Sequence, residues 1–332
     1  MKKLFLSIVA AMMCATATFA QSSMLATLSH EGEISTFYGA TALRDAHNAA
    51  AHGDIITLSS GSFVSVNITK AITLRGAGCE INTELNIEPT VITGDFTINI
   101  ADDVTERLTI EGVYHNHTLN YQNNLKNATF IKDRFKRITY SNNGTLKNAT
   151  FIHCRVAEEL YLYSNSTASC VNCVVWKPNS YSDVNSNFEF QNCVIKGNNI
   201  ASVSSSSFKN CVLIPNHTSD YISSSCVAYN CIGIATNDIF RNMPNQSNAK
   251  KSYTEVFKTL TGSTYSDSEL FELTDEAKTS FLGIDGTQVG IYGGNMPFDS
   301  TPTNPQITKC NVAAKSTADG KLSVDITVNG AE

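Results

Sequence analysis

The sequence predicts an all-β fold, a solenoid of short strands stacked rung upon rung. Three observations predict it. One phrase centred on asparagine recurs six times: LKNATFI, LKNATFI, CVNCVVW, EFQNCVIK, FKNCVLI and AYNCIGI. Its asparagines, Asn127, Asn148, Asn172, Asn192, Asn210 and Asn230, are spaced 18 to 24 residues apart, a period typical of solenoids. The flanking positions form apolar columns. Leu125, Leu146, Cys170, Phe190, Phe208 and Ala228 lie two residues before. Ala128, Ala149, Cys173, Cys193, Cys211 and Cys231 lie one after, and Phe130, Phe151, Val175, Ile195, Leu213 and Gly233 three after. Side chains alternate between the faces of a strand, so these columns should face inward, with the asparagine at the bend between strands.

Asparagine suits a bend because it tolerates the left-handed backbone region. Its amide could also pair with the asparagine on the rung above or below. No rung can bury its apolar face alone, so several must stack.

Together with Gly53-Asp54-Ile55-Ile56-Thr57-Leu58 and Ile72-Thr73-Leu74-Arg75-Gly76-Ala77-Gly78, these phrases resemble the right-handed parallel β-helix of the pectin-lyase-like superfamily, in a secreted bacterial form. The resemblance spans roughly Gly53 to Phe240. It implies a fold more than an activity, since the superfamily includes polysaccharide lyases, glycoside hydrolases, adhesins and many proteins without known activity.

In chain order, residues 1–20 read as a signal peptide. Lys2 and Lys3 precede the apolar run Leu4 to Met13, and Thr18-Phe19-Ala20 leads to Gln21. The run is too short to span a membrane, and Met12-Met13 before Cys14 argues against a lipoprotein. The protein is therefore expected to be extracellular, on the cell surface or periplasmic. Residues 21–52 form an N-terminal segment in which Ala42, Leu43, Ala46, Ala49 and Ala50 predict a helix over Ser35 to His52, ended by Gly53. In β-helices such a helix covers the open end, where unpaired edges invite aggregation. His47 and His52 read as surface or capping residues. Residues 53–240 form the β-helix, and Arg75-Gly76-Ala77-Gly78 reads as a turn. Residues 241–296 supply a short helix, covering loops and glycine turns over Gly283 to Gly294. In residues 297–332, a Pro/Thr/Ser linker precedes a β-hairpin around Ala318-Asp319-Gly320, a short C-terminal β cap or tail.

The net charge of −6 gives no footprint for nucleic acid or an anionic membrane. Nine cysteines follow the leader. Cys173, Cys193, Cys211 and Cys231 should stack as reduced, buried thiols, because adjacent rungs stand about 4.8 Å apart and a disulfide wants its Cβ atoms nearer 3.8 Å. Cys170 and Cys173 match a metal or redox spacing, but both fall in inward columns, which favours core packing.

The resemblance implies carboxylates holding calcium and a basic proton acceptor if the chain is a lyase, and clustered aspartates if it is a hydrolase. A catalytic reading would rest on Lys132, Asp133, Arg134, His153 and Arg155. By register Arg134 stacks near Arg155 and Lys132 near His153, a basic ledge for an acidic sugar. No carboxylate cluster for calcium and no acid–base pair accompanies it, so solvated turn charges are the preferred account. No metal or other cofactor is expected otherwise. Tyr161, Tyr163, Trp176 and Tyr181 fall within about one repeat length of each other and could stack on sugar rings; they could equally cover the solenoid wall. Finally, Val174, Val194, Val212 and Ile232 form an outward apolar stripe that must be covered by a terminal segment or a partner. The leading expectation is a non-catalytic protein that binds a glycan or a cell-surface component. The alternative is a lyase or hydrolase acting on an acidic polysaccharide.

Overall fold

The computed structural model describes residues 24–329 except 84–86, 181–185, 198–202, 217–220, 236, 245, 263, 265, 313–314 and 316–318. The expected signal peptide, Cys14 and Tyr181 lie outside the described residues. The chain forms a parallel β-solenoid of about nine turns. Two long sheets make its walls. The first wall carries Ile55–Leu58, Thr73–Arg75, Thr109–Glu111, Thr129–Ile131, Ala149–Ile152, Thr167–Val171, Asn187–Gln191, Ser207–Lys209 and Val227–Tyr229. The second runs from Gly61–Val64 through Arg134–Tyr140, Arg155–Leu162, Val174–Trp176 and Val212–Pro215 to Ala249–Lys251.

Inside the first wall one column runs Ile56, Leu74, Ile110, Phe130, Phe151, Cys170, Phe190, Phe208, Ala228. Each is at most 2% exposed, and each large member contributes roughly 1.5–3 kcal/mol by burial. Like stacks on like: the rings of Phe130 and Phe151 lie 4.8 Å apart and those of Phe190 and Phe208 5.3 Å apart, both nearly parallel.

This register corrects the sequence alignment. Phe130 and Phe151 stack with Cys170 and Phe190, not with Val175 and Ile195. Leu125 and Leu146 pair in a separate two-stranded sheet, and Ala149 stacks on Ala168 rather than in the cysteine column. The six asparagines all take the left-handed conformation, φ 49 to 56°, but at two different corners. Asn127 and Asn148 precede the first wall. Asn172, Asn192, Asn210 and Asn230 follow it, and on the lower rungs that corner is held by Lys132 and His153, both at φ 53°. A corner demands a backbone conformation rather than one side chain, so phrases from two corners of the same period look alike.

The asparagine side chains do not form the expected ladder. Asn148 reaches Asn127 only at 3.5 Å. Asn172 donates instead to the carbonyls of Ile291 and Gly293 at 2.7 and 2.8 Å, and Asn230 to that of Leu282 at 3.0 Å. The C-terminal loop offers these amides acceptors that a neighbouring asparagine offers less well.

The cysteine ladder is present and longer than expected. Cys154, Cys173, Cys193, Cys211 and Cys231 are free and buried. Each thiol donates to the carbonyl two residues before it, at 3.2 to 3.4 Å. The N–H of Cys154 donates to Cys173 Sγ, and that of Cys173 to Cys193 Sγ. Below Cys154 the same place is taken by Asp133.

The N-terminal segment differs from expectation. β1 (Leu25–His30) and β2 (Glu33–Tyr38) form a hairpin across Glu31-Gly32, and the helix α1 is confined to Ala42–Ala49. The turn residues sit at φ 49° and 87°, the geometry that two-residue hairpins favour, so residues 35–38 extend rather than coil. β1 pairs antiparallel with β3 (Ile55–Leu58), the first rung. His47 is buried and accepts the Thr69 N–H at 3.2 Å, so it is no surface residue.

Beyond the rungs, the short helices α2 (Tyr253–Val256) and α3 (Asp275–Ser280) and the glycine-rich turns lie over the second wall. The tail forms the antiparallel pair Gln306–Val312 and Val324–Asn329. No helix among the described residues is long and apolar enough to cross a membrane.

Candidate functional site

The outward stripe is covered by the chain itself. Val174, Val194, Val212 and Ile232 are 0 to 2% exposed. They join one apolar cluster with Val256, Phe257, Leu273, Val289 and Ile291 from the C-terminal segment. An external partner is not what hides it.

The basic ledge forms as the register requires, with Arg134 paired to Arg155, but it is neither solvated nor free. Lys132 Nζ donates to Asp299 Oδ2 at 2.8 Å and to the Thr301 carbonyl at 2.7 Å. Arg134 pairs with Asp267. Arg155 lies 3.2 Å from Glu80, donates to the Glu269 carbonyl at 3.1 Å, and sits over the Phe298 ring. His153 Nε2 lies 3.0 Å from the Met296 carbonyl. The cover therefore brings carboxylates and carbonyls to every cation of the ledge. Sequence reasoning missed this because, Glu80 apart, those partners lie more than a hundred residues downstream, in loops without periodicity.

Asp133 points into the core with no exposure. Its Oδ1 accepts the Val113 N–H at 2.8 Å, and burial pushes its carboxyl well above the usual carboxylate range. It stands where Cys154, Cys173 and Cys193 stand on later rungs. A neutral acid, like a thiol, can donate there and accept the N–H from the rung below.

The aromatic candidates separate. Tyr161 and Tyr163 cluster with Tyr140, at ring separations of 5.4 and 4.2 Å. Beneath them Tyr121 donates to the Tyr161 carbonyl and accepts the Tyr163 N–H. Trp176 instead lies on the covered wall, beside the ammonium of Lys196. Lys196 is fully buried and paired at 2.6 Å with Glu269; burial lowers its pKa, against the pull of that carboxylate.

The first wall offers a different feature. A groove of about 250 Å³ runs across three rungs, lined by Asn148, Thr150, Thr167, Ser169, Asn187 and Glu189. Thr150, Ser169 and Glu189 occupy one outward column. Thr150 and Ser169 are half-buried, and Glu189 is exposed. Thr167 Oγ1 donates to Asn148 Oδ1 at 3.2 Å and accepts the Asn148 N–H at 2.9 Å, which fixes the lip of the groove. Tyr163 lies in the corner that leads into strand Thr167–Val171, while Tyr161 lies in strand Arg155–Leu162 of the second wall. The sequence signal was the outward run of Thr and Ser, visible only once the rungs are in register. Among the described residues, no group of three His, Cys, Asp or Glu side chains is placed to hold a metal ion.

Compared with protein-family models, curated proteins and solved structures, the chain finds no match in any of the three.

Proposed function

We propose that this is an exported β-solenoid that holds a glycan along its first wall without cleaving it. The observation that carries the reading is the contrast between the walls. The ledge cations Lys132, Arg134 and Arg155 are met by the cover's acceptors, whereas the first wall presents hydroxyls, amides and one carboxylate in a shallow groove. Hydroxyl and amide groups at fixed spacing recognise sugar hydroxyls, and the tyrosine corner adds apolar ring faces. Glu189 favours a neutral sugar over a uronate, since like charges repel. Glycosidic cleavage calls for a second carboxylate opposite it, and the other groove-lining residues are uncharged.

The test is calorimetric titration with neutral and uronic-acid oligosaccharides, run beside an assay for new reducing ends and unsaturated products. The reading expects heat with neutral oligosaccharides, lost in Ser169→Arg and kept in Trp176→Ala, with the oligosaccharide recovered intact. Binding that survives Ser169→Arg, or turnover of any substrate, overturns it.

A further inference from the structure

The first wall ends in an open edge. β2 is the terminal strand of its sheet, paired on one side only among the described residues. It is six residues long, EISTFY, without proline or lysine. Native sheets usually blunt such edges with those residues, with bulges or with a covering loop. Here the edge exposes two large apolar side chains, Ile34 at 73% and Tyr38 at 67%.

The hairpin register says which backbone groups face outward. His30 and Glu33 flank the two-residue turn and are opposed, as are Leu28 and Ser35, and Ala26 and Phe37. In a two-residue hairpin the residues flanking the turn exchange hydrogen bonds, and bonded pairs then recur at every second residue. Glu33, Ser35 and Phe37 therefore point their N–H and C=O groups at β1. Ile34, Thr36 and Tyr38 point theirs at the free edge.

We propose that β2 is a homodimer interface, pairing antiparallel with β2 of a second copy about a two-fold axis through Thr36. The strand is self-complementary in that register. Thr36 opposes Thr36, and Ile34 opposes Tyr38 twice, so all three outward-pointing residues of each copy find a bonding partner. The two exposed apolar side chains meet as β-branched and aromatic cross-strand pairs on one face, a favourable combination. Glu33 falls opposite Gly39, and the two Glu33 residues stand about 20 Å apart, beyond the Debye length at physiological salt. Centring one residue earlier, on Ser35, would set Ile34 against Thr36 and Tyr38 against Gly32, separating the apolar pair. An interface of two short strands is small, so a reversible dimer is expected rather than an obligate one.

The experiment is sedimentation velocity on the full chain across the micromolar range, with three variants. Thr36→Pro deletes the central donors, and Tyr38→Lys places a cation in each cross-strand pair; each should weaken the dimer by about tenfold or more. Circular dichroism and the melting temperature show whether the fold is kept. Thr36→Cys reads the register without asking for destabilisation. Opposed residues of a bonded antiparallel pair have Cα atoms about 5.5 Å apart, within disulfide reach. Under mild oxidation it should give a covalent dimer, whereas Ser35→Cys, which opposes Phe37, should not. A monomer at every concentration overturns the proposal. So does a dimer indifferent to Thr36→Pro and Tyr38→Lys, or cross-linking equally efficient from Ser35→Cys.

Discussion

Lys196 and Glu269 form an ion pair 2.6 Å long across 73 residues of sequence, with the lysine wholly buried. It pins the cover to the second wall. The Thr264 carbonyl takes another ammonium proton at 2.9 Å. Removing one partner of such a pair strands a charge in the interior and costs about 3–5 kcal/mol. Glu269→Ala should therefore loosen residues 253–291 more than Lys196→Met combined with Glu269→Leu, which buries no charge. Hydrogen exchange over the cover, read beside the melting temperature, distinguishes the two.

Acid should destabilise the protein through two buried imidazoles. Burial, reinforced by Lys70, depresses His47 to about 4, and burial alone depresses His115 to about 3. For a base whose pKa is lowered on folding, the unfolded chain binds more protons between the two values. Stability is then full above about 6.5, the free imidazole value, and falls as pH drops toward the folded value. The expected loss from His47 is about 3 kcal/mol between pH 6.5 and 4. Urea denaturation of wild type and His47→Gln across that range should show a shallower slope for the variant.

His115 also carries a penalty at neutral pH. Its ring lies between Phe96 and Phe135, at 5.1 and 4.8 Å, and neither ring nitrogen has a hydrogen-bond partner. His115→Phe would continue the aromatic stack and remove a desolvation cost of about 1–3 kcal/mol. A higher melting temperature at pH 7 is the expected reading.

Asp133 gives a prediction of opposite pH sign. A carboxyl whose pKa is raised on folding costs stability as pH rises from the unfolded value, near 4, toward the folded one. Asp133→Cys would extend the thiol ladder downward, with an N–H from Val113 waiting for it. The variant should match wild type near pH 4 and exceed it by about 1–3 kcal/mol at pH 7. Denaturant midpoints at the two pH values check this.

The ladder thiols should be inert in the folded protein because all five are buried, beyond the reach of a reagent. Burial raises Cys154, Cys193 and Cys231, while hydrogen bonds with neighbouring thiols draw Cys173 and Cys211 the other way. Iodoacetamide followed by mass spectrometry should label them only after denaturation.

The solenoid was legible because short-range alternation and a repeat near twenty residues both survive in the residue types. Phe130 over Phe151 and Cys193 beneath Cys211 follow directly from it. Which corner each asparagine occupied was not legible: Asn148 and Asn172 answer the same backbone requirement at different places, and only ladder pairing separates them. The ledge at Lys132 and Arg155 was legible in register but not in environment. Its partners Asp299 and Glu80 come from irregular segments, whose positions depend on tertiary packing. The groove at Thr150, Ser169 and Glu189 was hidden for a related reason, since aligning on asparagine sets Thr150, two residues after Asn148, level with Val174, two after Asn172.

The cover is assembled from residues made after every rung of the second wall it hides. Until about residue 290 leaves the ribosome, the valines at 174, 194 and 212 stand naked along a nearly finished tube. Synthesis halted earlier would yield a sticky ribbon rather than a smaller working protein. A truncation ending near residue 250 should collect in inclusion bodies.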